Sequence, residues 1–191
     1  MADEGERPIL NVVGEKVALG PIRRDLVPVY QRWMNDFDVL RTLAVGGPRP
    51  LTAEGEIGWY ERTAVSQTDA SFTLYERSSL RPIGSLGLHQ VDHYNRTALF
   101  GILIGEKDCW GKGYGTEATR LVLEYAFTTL GLHNVMLNVF ANNERAMRAY
   151  RRAGFREIGR RRQAHRVAGD VEDIVFMDCL ATEFEPPIPA S

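Results

Sequence analysis

The glycine-rich segment 110–117, Trp-Gly-Lys-Gly-Tyr-Gly-Thr-Glu, most constrains what this chain can fold into. The apolar run Arg96 to Ile104 precedes it and the amphipathic run Thr116 to Leu130 follows, so the segment joins a predicted strand to a predicted helix. Alternate glycines let the backbone approach a ligand closely, because glycine has no Cβ. The amides of Gly113 to Thr116 begin that helix, where unpaired N–H groups and the helix dipole favour a phosphate or diphosphate.

The spacing of the glycines separates this segment from two common nucleotide-binding loops. The P-loop pattern needs a serine or threonine after the lysine, but Lys112 is followed by Gly113. The Rossmann pattern G-x-G-x-x-G places its third glycine one residue later than Gly115. A nucleotide-binding phosphotransferase therefore loses support. From spacing alone, a glycine-rich turn without any ligand remains open.

The length of the chain, 191 residues, predicts a single domain. We expect an N-terminal lead-in over residues 1–14, the folded domain over residues 15–182, and a C-terminal tail over residues 183–191, where three prolines cannot continue a helix or central strand. Hydrophobic residues make up 44% and charged residues 25%. This ordinary globular composition excludes a collagen-like repeat and a membrane bundle.

The charge and the cysteine content of the chain limit its expected binding partners and its expected cellular location. Lysine and arginine total 23 against 25 acidic residues, a net charge of −2, so we expect neither a specific nucleic acid nor a membrane as partner. Cys109 and Cys179 form no Cys-x-x-Cys or Cys/His cluster, so we expect no metal site and no disulfide framework. The acidic, polar N-terminus is unlike a signal peptide. A cytoplasmic location is the expectation.

Hydrophobic periodicity predicts an α+β fold with one mixed sheet. The first half alternates a strand, two helices and three antiparallel strands, and the second half adds a helix, a strand, a helix and a closing hairpin. The predicted strands are 15–22, 71–75, 82–91, 96–104, 133–140, 155–167 and 171–181, and the predicted helices are 26–35 after Asp25, 53–65 after Thr52, 116–130 before Gly131, and the segment between Asn143 and Gly154.

Two motifs resemble a known family. Trp110 to Gly115 resembles the Q/R-x-x-G-x-G/A loop of the GNAT superfamily of N-acetyltransferases, with Trp110 in the Gln/Arg position, as in the branch that acetylates ribosomal-protein N-termini, polyamines and related small amines. The segment Asn143 to Phe155 resembles the family pattern N-x-x-A-x-x-x-Y-x-x-x-G-F. The resemblance covers roughly residues 15–182. It implies a mostly antiparallel sheet with a splayed central strand pair flanked by helices, and acetyl-coenzyme A as cosubstrate with no metal.

The resemblance also implies which residues bind the cosubstrate. The loop would bind the diphosphate. The strand before it would pair with the pantetheine arm through its main chain, and the amide of Leu103 or Ile104 would face the thioester oxygen. Asn138, on the other splayed strand, and Asn143 are further candidates. The implied cosubstrate-binding set is Ile102, Leu103, Ile104, Trp110, Gly111, Lys112, Gly113, Tyr114, Gly115, Thr116, Asn138, Asn143 and Tyr150.

Acetyl transfer to an amine also needs a proton donor and a proton acceptor. The motif makes Tyr150 the candidate acid, since a phenol of pKa about 10 can protonate a departing thiolate of pKa about 8.5. Glu106 is the candidate base because it lies near the end of the predicted strand that precedes the glycine loop. Other candidates for the base have no decisive spacing: Asp92, His93, His133 and Asn138.

The acceptor side offers several interpretations. Aromatic residues of the two early helices could stack on an acceptor, namely Trp33, Trp59 and Tyr60. Acidic residues of the same region could attract a cation, namely Asp36, Asp38, Glu54, Glu56 and Glu61. A solvated acidic face is the simpler interpretation. The basic run Arg156 to Arg166 could meet a ribose 3′-phosphate or form an exposed strand face. The acceptor would be a small-molecule or peptide amine, and the family resemblance allows a homodimer. A catalytically silent acyl-coenzyme A sensor is the alternative function.

Overall fold

The computed structural model describes residues 7–43, 49–167 and 169–186, and within these ranges its centre is one eight-stranded β-sheet. Helices flank the sheet and the short connections between strands are hairpins. In chain order the elements are β1 (Val12–Val13), β2 (Val17–Pro21), α1 (Val27–Met34), α2 (Phe37–Leu40), α3 (Ala53–Ala64), β3 (Ala70–Glu76), β4 (Pro82–Asp92), β5 (Thr97–Ile104), α4 (Tyr114–Glu124), β6 (Asn134–Phe140), α5 (Glu144–Ala153), β7 (Arg156–Val167) and β8 (Asp170–Leu180).

The strands lie in the order β1-β2-β3-β4-β5-β6-β8-β7. Every neighbouring pair is antiparallel except β5 and β6, which are parallel. A parallel pair needs a long crossover, and α4 supplies it, which places the start of this helix beside the end of β5. The predicted mixed, mostly antiparallel sheet flanked by helices is therefore confirmed.

The central strands β5 and β6 separate after a short pairing. They pair only where Thr97 to Leu99 lies opposite Asn134 to Met136. Beyond that point β4 continues to pair with β5 as far as Ile104, and β8 continues to pair with β6 as far as Phe140. The edge of β5 that faces β6 is thus open over Phe100 to Ile104, which confirms the predicted splay.

Two apolar clusters hold these elements together. The larger lies between the sheet and the helices α4 and α5, and includes the fully buried Leu19, Ile83 and Val122. The smaller lies beneath α1, where Tyr30 and Trp33 pack against other apolar residues, Val27, Val39 and Leu103 among them. Each large side chain buried in this way contributes about 1.5–3 kcal/mol to folding. The smaller cluster fixes α1 against the end of β5.

Two sequence-based expectations in the first half are wrong. Residues 12–13 belong to the sheet rather than to a loose lead-in, because β1 pairs with Ala18 and Leu19 of β2. Asp25 does not cap a helix: its carboxylate accepts hydrogen bonds from Arg23, and α1 begins at Val27 without a side-chain cap. The predicted helix over 26–35 ends at Met34, and a separate short helix, α2, follows it.

The helix boundaries in the second half follow local signals more closely. Asn143 Oδ1 accepts a hydrogen bond from the amide of Ala146, as an N-cap does, and Gly154 ends α5 with φ +117°. The predicted helix 116–130 begins at Tyr114 and finishes as a π-helical turn over Tyr125–Thr129, before Gly131 with φ +63°. Residues 187–191 of the predicted tail lie outside the described residues.

Candidate active site

A cavity of about 290 Å³ lies between the glycine loop and α5. The open edge of β5 forms one wall, the loop and the start of α4 a second, and α5 a third. Its lining residues are Thr42, Ile102, Ile104, Trp110, Gly111, Gly113, Gly115, Thr116, Asn143, Arg145, Ala146, Arg148, Ala149, Tyr150 and Arg152. Most of the residues predicted to bind a cosubstrate therefore meet at one place. The predicted residues Leu103, Glu106, Lys112, Tyr114 and Asn138 are not part of this lining.

The glycine loop has the backbone geometry of an anion cradle. Gly111 and Gly113 have φ values of +78° and +86°, in the left-handed region where a side chain is strained. A Cβ added at Gly111 would meet no atom within 4 Å, so the outer surface of the loop is open. Gly113 directly precedes α4, whose first amides have no partner within the helix. Two glycines in the left-handed region, followed by helix amides that have no intrahelical partner, form a backbone arrangement that can bind a diphosphate.

The open edge of β5 presents the main chain of Ile104 rather than that of Leu103. The carbonyl oxygen of Leu103 lies against Gly84, where an added Cβ would come within 2.0 Å of it, so the polar groups of Leu103 face β4. Successive residues of a strand direct their N–H and C=O groups to opposite edges. The amides of Ile102 and Ile104 therefore face the splay, and the Ile104 oxygen there accepts from Trp110 Nε1 at 2.9 Å.

Tyr150 lies on α5 at the cavity wall, between two aromatic rings. Its ring centroid is 6.3 Å from that of Phe100 and 6.0 Å from that of Phe155, in edge-to-face arrangements. Burial raises the pKa of Tyr150 to about 12. The phenol is therefore neutral across the physiological range and can only donate a proton, not accept one as a phenolate.

Asn143 joins two sides of the cavity. Besides capping α5, it donates a hydrogen bond from Nδ2 to the carbonyl oxygen of Thr42 at 3.1 Å. The residue that the motif offered as a contact for the cosubstrate thus also fixes the segment after α2 against α5. This second contact, between residues 101 positions apart, had no signal in the sequence.

Glu106 follows β5 and is held by α1. Its Oε1 accepts a hydrogen bond from Trp33 Nε1 at 2.8 Å and pairs with the guanidinium of Arg32. The carboxylate side chain is 15% exposed. Across the described ranges, Oε2 accepts no hydrogen bond, so one oxygen of Glu106 remains available to another partner.

The other predicted residues that do not line the cavity lie on the surface or contact residues elsewhere in the protein. Asn138 is an exposed residue of β6, opposite Phe176. The Tyr114 hydroxyl donates to Glu76 at 2.8 Å. The pKa of the Glu76 carboxyl is lowered by hydrogen bonds from Ser79 and Tyr114 and by the charges of Arg81 and Lys112. Lys112 is therefore close enough to Glu76 for its charge to act on that carboxyl.

The acidic and aromatic residues predicted for the acceptor side are largely engaged in contacts within the protein. Trp33 is 1% exposed, and Trp59 packs edge-on against Tyr30 at 5.7 Å, so these rings build the smaller cluster. Asp36 and Asp38 both bind Lys107, at 2.8 and 3.0 Å.

Two other carboxylates of this face differ sharply in their surroundings. Glu61 pairs with Arg24 at 3.2 Å on the surface. Glu56 is only 3% exposed, and burial raises its pKa to about 7.

The cationic residues of the cavity come from α5 rather than from β7. The run Arg156 to Arg166 lies on an exposed strand, where Arg156 pairs with Glu183 at 2.7 Å. Arg145, Arg148 and Arg152 line the cavity instead, and Arg145 Cζ lies 4.2 Å from the centre of the Trp110 ring. Sequence analysis missed them, although their spacing of three and four residues along a helix was a usable signal.

Comparison with known proteins identifies the family. The model of the acetyltransferase (GNAT) domain matches residues 16–156. This chain belongs to the GNAT acetyltransferase family. The resemblance and the enzyme class that the two motifs predicted are confirmed. Over the described ranges, no helix has the length and apolar character needed to cross a membrane, and no three His, Cys, Asp or Glu side chains are grouped to hold a metal.

Relatives of this GNAT chain are named for different acceptors. It is 36% identical to YdaF of Bacillus subtilis, a candidate ribosomal N-acetyltransferase, over 53% of this chain and 55% of that protein. It is 30% identical to the human alpha/beta-tubulin-N-acetyltransferase 9, over 77% of this chain and 75% of that protein. The fold matches a spermidine N-acetyltransferase from Vibrio cholerae, solved with CoA and spermine, with a TM-score of 0.82 at 22% identity over 89% of this chain and 98% of that chain.

Proposed function

We propose that this protein transfers an acetyl group from acetyl-coenzyme A to a primary amine. The observation that carries the proposal is the layout of the cavity. Its walls run from the two left-handed glycines, along the open edge of β5, to the phenol of Tyr150. Such an arrangement suits a long ligand with a diphosphate at one end and a reactive group at the other. Family membership and the relatives' names support the same class of reaction.

Binding would use mostly main-chain groups. The amides of Gly113 to Thr116 would hold the diphosphate at the start of α4. Ile102 would pair with the pantetheine arm as if it were an added strand, because its N–H and C=O groups face the splay between β5 and β6. When bound, acetyl-coenzyme A supplies an activated acetyl thioester. The Ile104 amide would then stabilise negative charge that develops on the thioester oxygen.

Tyr150 would donate a proton in the reaction and Glu106 would accept one. A primary amine of pKa about 10.4 is mostly protonated at neutral pH, so it must lose a proton before it reacts. That first proton passes to solvent water. The nitrogen then forms the new C–N bond as the C–S bond breaks, the excess proton on nitrogen passes to a base, and the departing sulfur receives a proton from Tyr150, which solvent then restores. We propose Glu106 Oε2 as that base, directly or through water, since Oε1 is already occupied by Trp33 and Arg32.

The acceptor would be a protein N-terminus, a polyamine or another small amine. The names of the relatives span these classes: ribosomal protein, tubulin and spermidine. Internal pairing of Asp36, Asp38 and Glu61 leaves fewer free carboxylates for a polycation than the sequence alone suggested.

A panel of amines tests this function. The protein is incubated with labelled acetyl-coenzyme A and, separately, an N-terminal peptide, spermidine and an aminoglycoside, and thiol release and label transfer are measured. Transfer to an amine, with matching thiol release, is expected. Coenzyme A binding without transfer to any amine of a broad panel would instead favour the silent sensor.

A further inference from the structure

Trp110 stands at the first position of the glycine-loop motif, where the pattern that the loop resembles has Gln or Arg. Its side chain makes two contacts. The indole Nε1 donates to the carbonyl oxygen of Ile104, and the guanidinium carbon of Arg145, on α5, lies 4.2 Å from the centre of the ring. An aromatic ring attracts a cation that lies over its face. The loop therefore has no cationic side chain of its own at this position, and it holds a guanidinium of α5 there instead.

The guanidinium of Arg145 is available to a ligand. It lines the cavity, and across residues 7–43, 49–167 and 169–186 it donates no hydrogen bond and has no carboxylate within 4.0 Å. Arg148 also lines the cavity, but its Nη1 lies 3.0 Å from Glu144 Oε2, which balances its charge. Arg152 lines the cavity from the last turn of α5, about 10 Å from Arg145 along the helix axis.

The charge of the cavity lining indicates the kind of ligand. Among the described residues, the lining includes three arginines and no aspartate or glutamate. A cation that faces a cavity without an acidic partner is stabilised when an anion enters. The planar guanidinium can donate two N–H groups to two oxygens of one phosphate. The ring of Trp110 restricts where that guanidinium lies, so the side chain loses less freedom when a phosphate binds.

We propose that Arg145 binds a phosphate group of coenzyme A, and that Trp110 is the residue that positions it. The inference rests on the proposed function, because it concerns the same cosubstrate. It assigns to α5 the cation that the first position of the loop does not carry in this chain. The diphosphate and the ribose 3′-phosphate offer the same chemistry, and the experiment distinguishes them.

Calorimetric titration with coenzyme A tests the role of Arg145. Arg145→Met should weaken binding by about tenfold, the size of one charge-assisted hydrogen bond. Arg151→Met is the matched control, because Arg151 lies on the same helix, pairs with Glu157 at 3.6 Å and does not line the cavity. Its affinity should stay within a factor of about two of the unaltered protein. Thermal unfolding checks that every variant is folded.

Ionic strength and a second substitution separate phosphate binding from packing. The loss caused by Arg145→Met should shrink as salt is added, because salt screens a contact between charges and leaves packing unchanged. Trp110→Leu removes the ring that holds the guanidinium. In the Trp110→Leu protein, Arg145→Met should cost clearly less than tenfold, since the two residues act as one unit. A full tenfold loss in that background would show that Trp110 does not position Arg145.

Dephospho-coenzyme A, which keeps the diphosphate and lacks the 3′-phosphate, identifies the group that is bound. The same loss for both ligands assigns Arg145 to the diphosphate, and a loss confined to coenzyme A assigns it to the 3′-phosphate. Equal affinities of Arg145→Met and the unaltered protein, or a loss that does not change with salt, would overturn the proposal. Failure of the unaltered protein to bind coenzyme A would refute the proposed function itself, so the two failures are distinguishable.

Discussion

The indole N–H of Trp33 donates a hydrogen bond to Glu106 Oε1 at 2.8 Å, and the ring of Trp33 lies directly over Gly105. One side chain of α1 thereby fixes two consecutive residues at the end of β5. Since Ile104 precedes them, α1 also positions the strand end at which the thioester is proposed to lie. The packing of α1 and the geometry of the reaction centre are linked through this contact.

Replacing Glu106 with glutamine separates its chemical role from its packing role. Glu106→Gln keeps an oxygen that can accept from Trp33 but can no longer take a proton. If Glu106 is the base, kcat should fall by about 100-fold or more while coenzyme A affinity is kept. Arg32→Gln is the control, because it removes the ion pair and leaves the carboxylate. Similar small losses in both variants would show that Glu106 only positions the strand end.

Replacing Tyr150 with phenylalanine removes the proposed proton donor and keeps the ring between Phe100 and Phe155. We expect kcat to fall by about 100-fold or more, with little change in coenzyme A affinity, because the hydroxyl would act on the leaving sulfur. Steady-state kinetics with the best acceptor and calorimetry measure the two quantities. Tyr125→Phe, a change at a tyrosine that packs edge-on against Phe72 and does not line the cavity, is the matched control. Unchanged turnover of Tyr150→Phe would remove this residue from the mechanism.

The parts of the fold that follow local rules were predictable. Asn143 caps α5, and Gly131 and Gly154 take left-handed φ values after helices, because each of these signals depends only on neighbouring residues. The hairpins β3–β4 and β4–β5 likewise follow from alternating strands with short connections. Most residues of the loop motif, and Asn143 and Tyr150 of the second motif, line the cavity because each motif is a contiguous segment, whereas Lys112 and Tyr114 do not.

The parts that depend on distant residues were not predictable. The Asp25 side chain had the right chemistry for a cap, but the nearby Arg23 binds it instead. Lys16 approaches Gly113 only because the sheet brings β2 beside α4, and no periodicity encodes that contact.

Gly105 is required by the close approach of Trp33, rather than by backbone freedom. A Cβ at this position would lie 2.1 Å from Trp33 Cγ, so Gly105→Ala must displace the ring or the strand end. We expect a loss of about 1–3 kcal/mol in the free energy of unfolding, measured by urea denaturation. Gly159→Ala, where no atom lies within 4 Å of the added Cβ, should change it much less. Equal stabilities of the two variants would contradict this packing role.

Glu56 should make stability depend on pH. Its folded-state pKa is about 7, above the ordinary 4.5, because burial disfavours the charged form. The stabilisation of the folded state by the protonated carboxyl is therefore complete below pH 4.5 and is lost as the pH rises through 7. Glu56→Gln, which cannot ionise, should be more stable than the unaltered protein at pH 8, by up to about 3 kcal/mol, and nearly equal to it at pH 4.5. Chemical denaturation at the two pH values measures the difference, with the exposed neighbour variant Glu54→Gln as the control. The same difference at both pH values would mean that folding does not raise the pKa of Glu56.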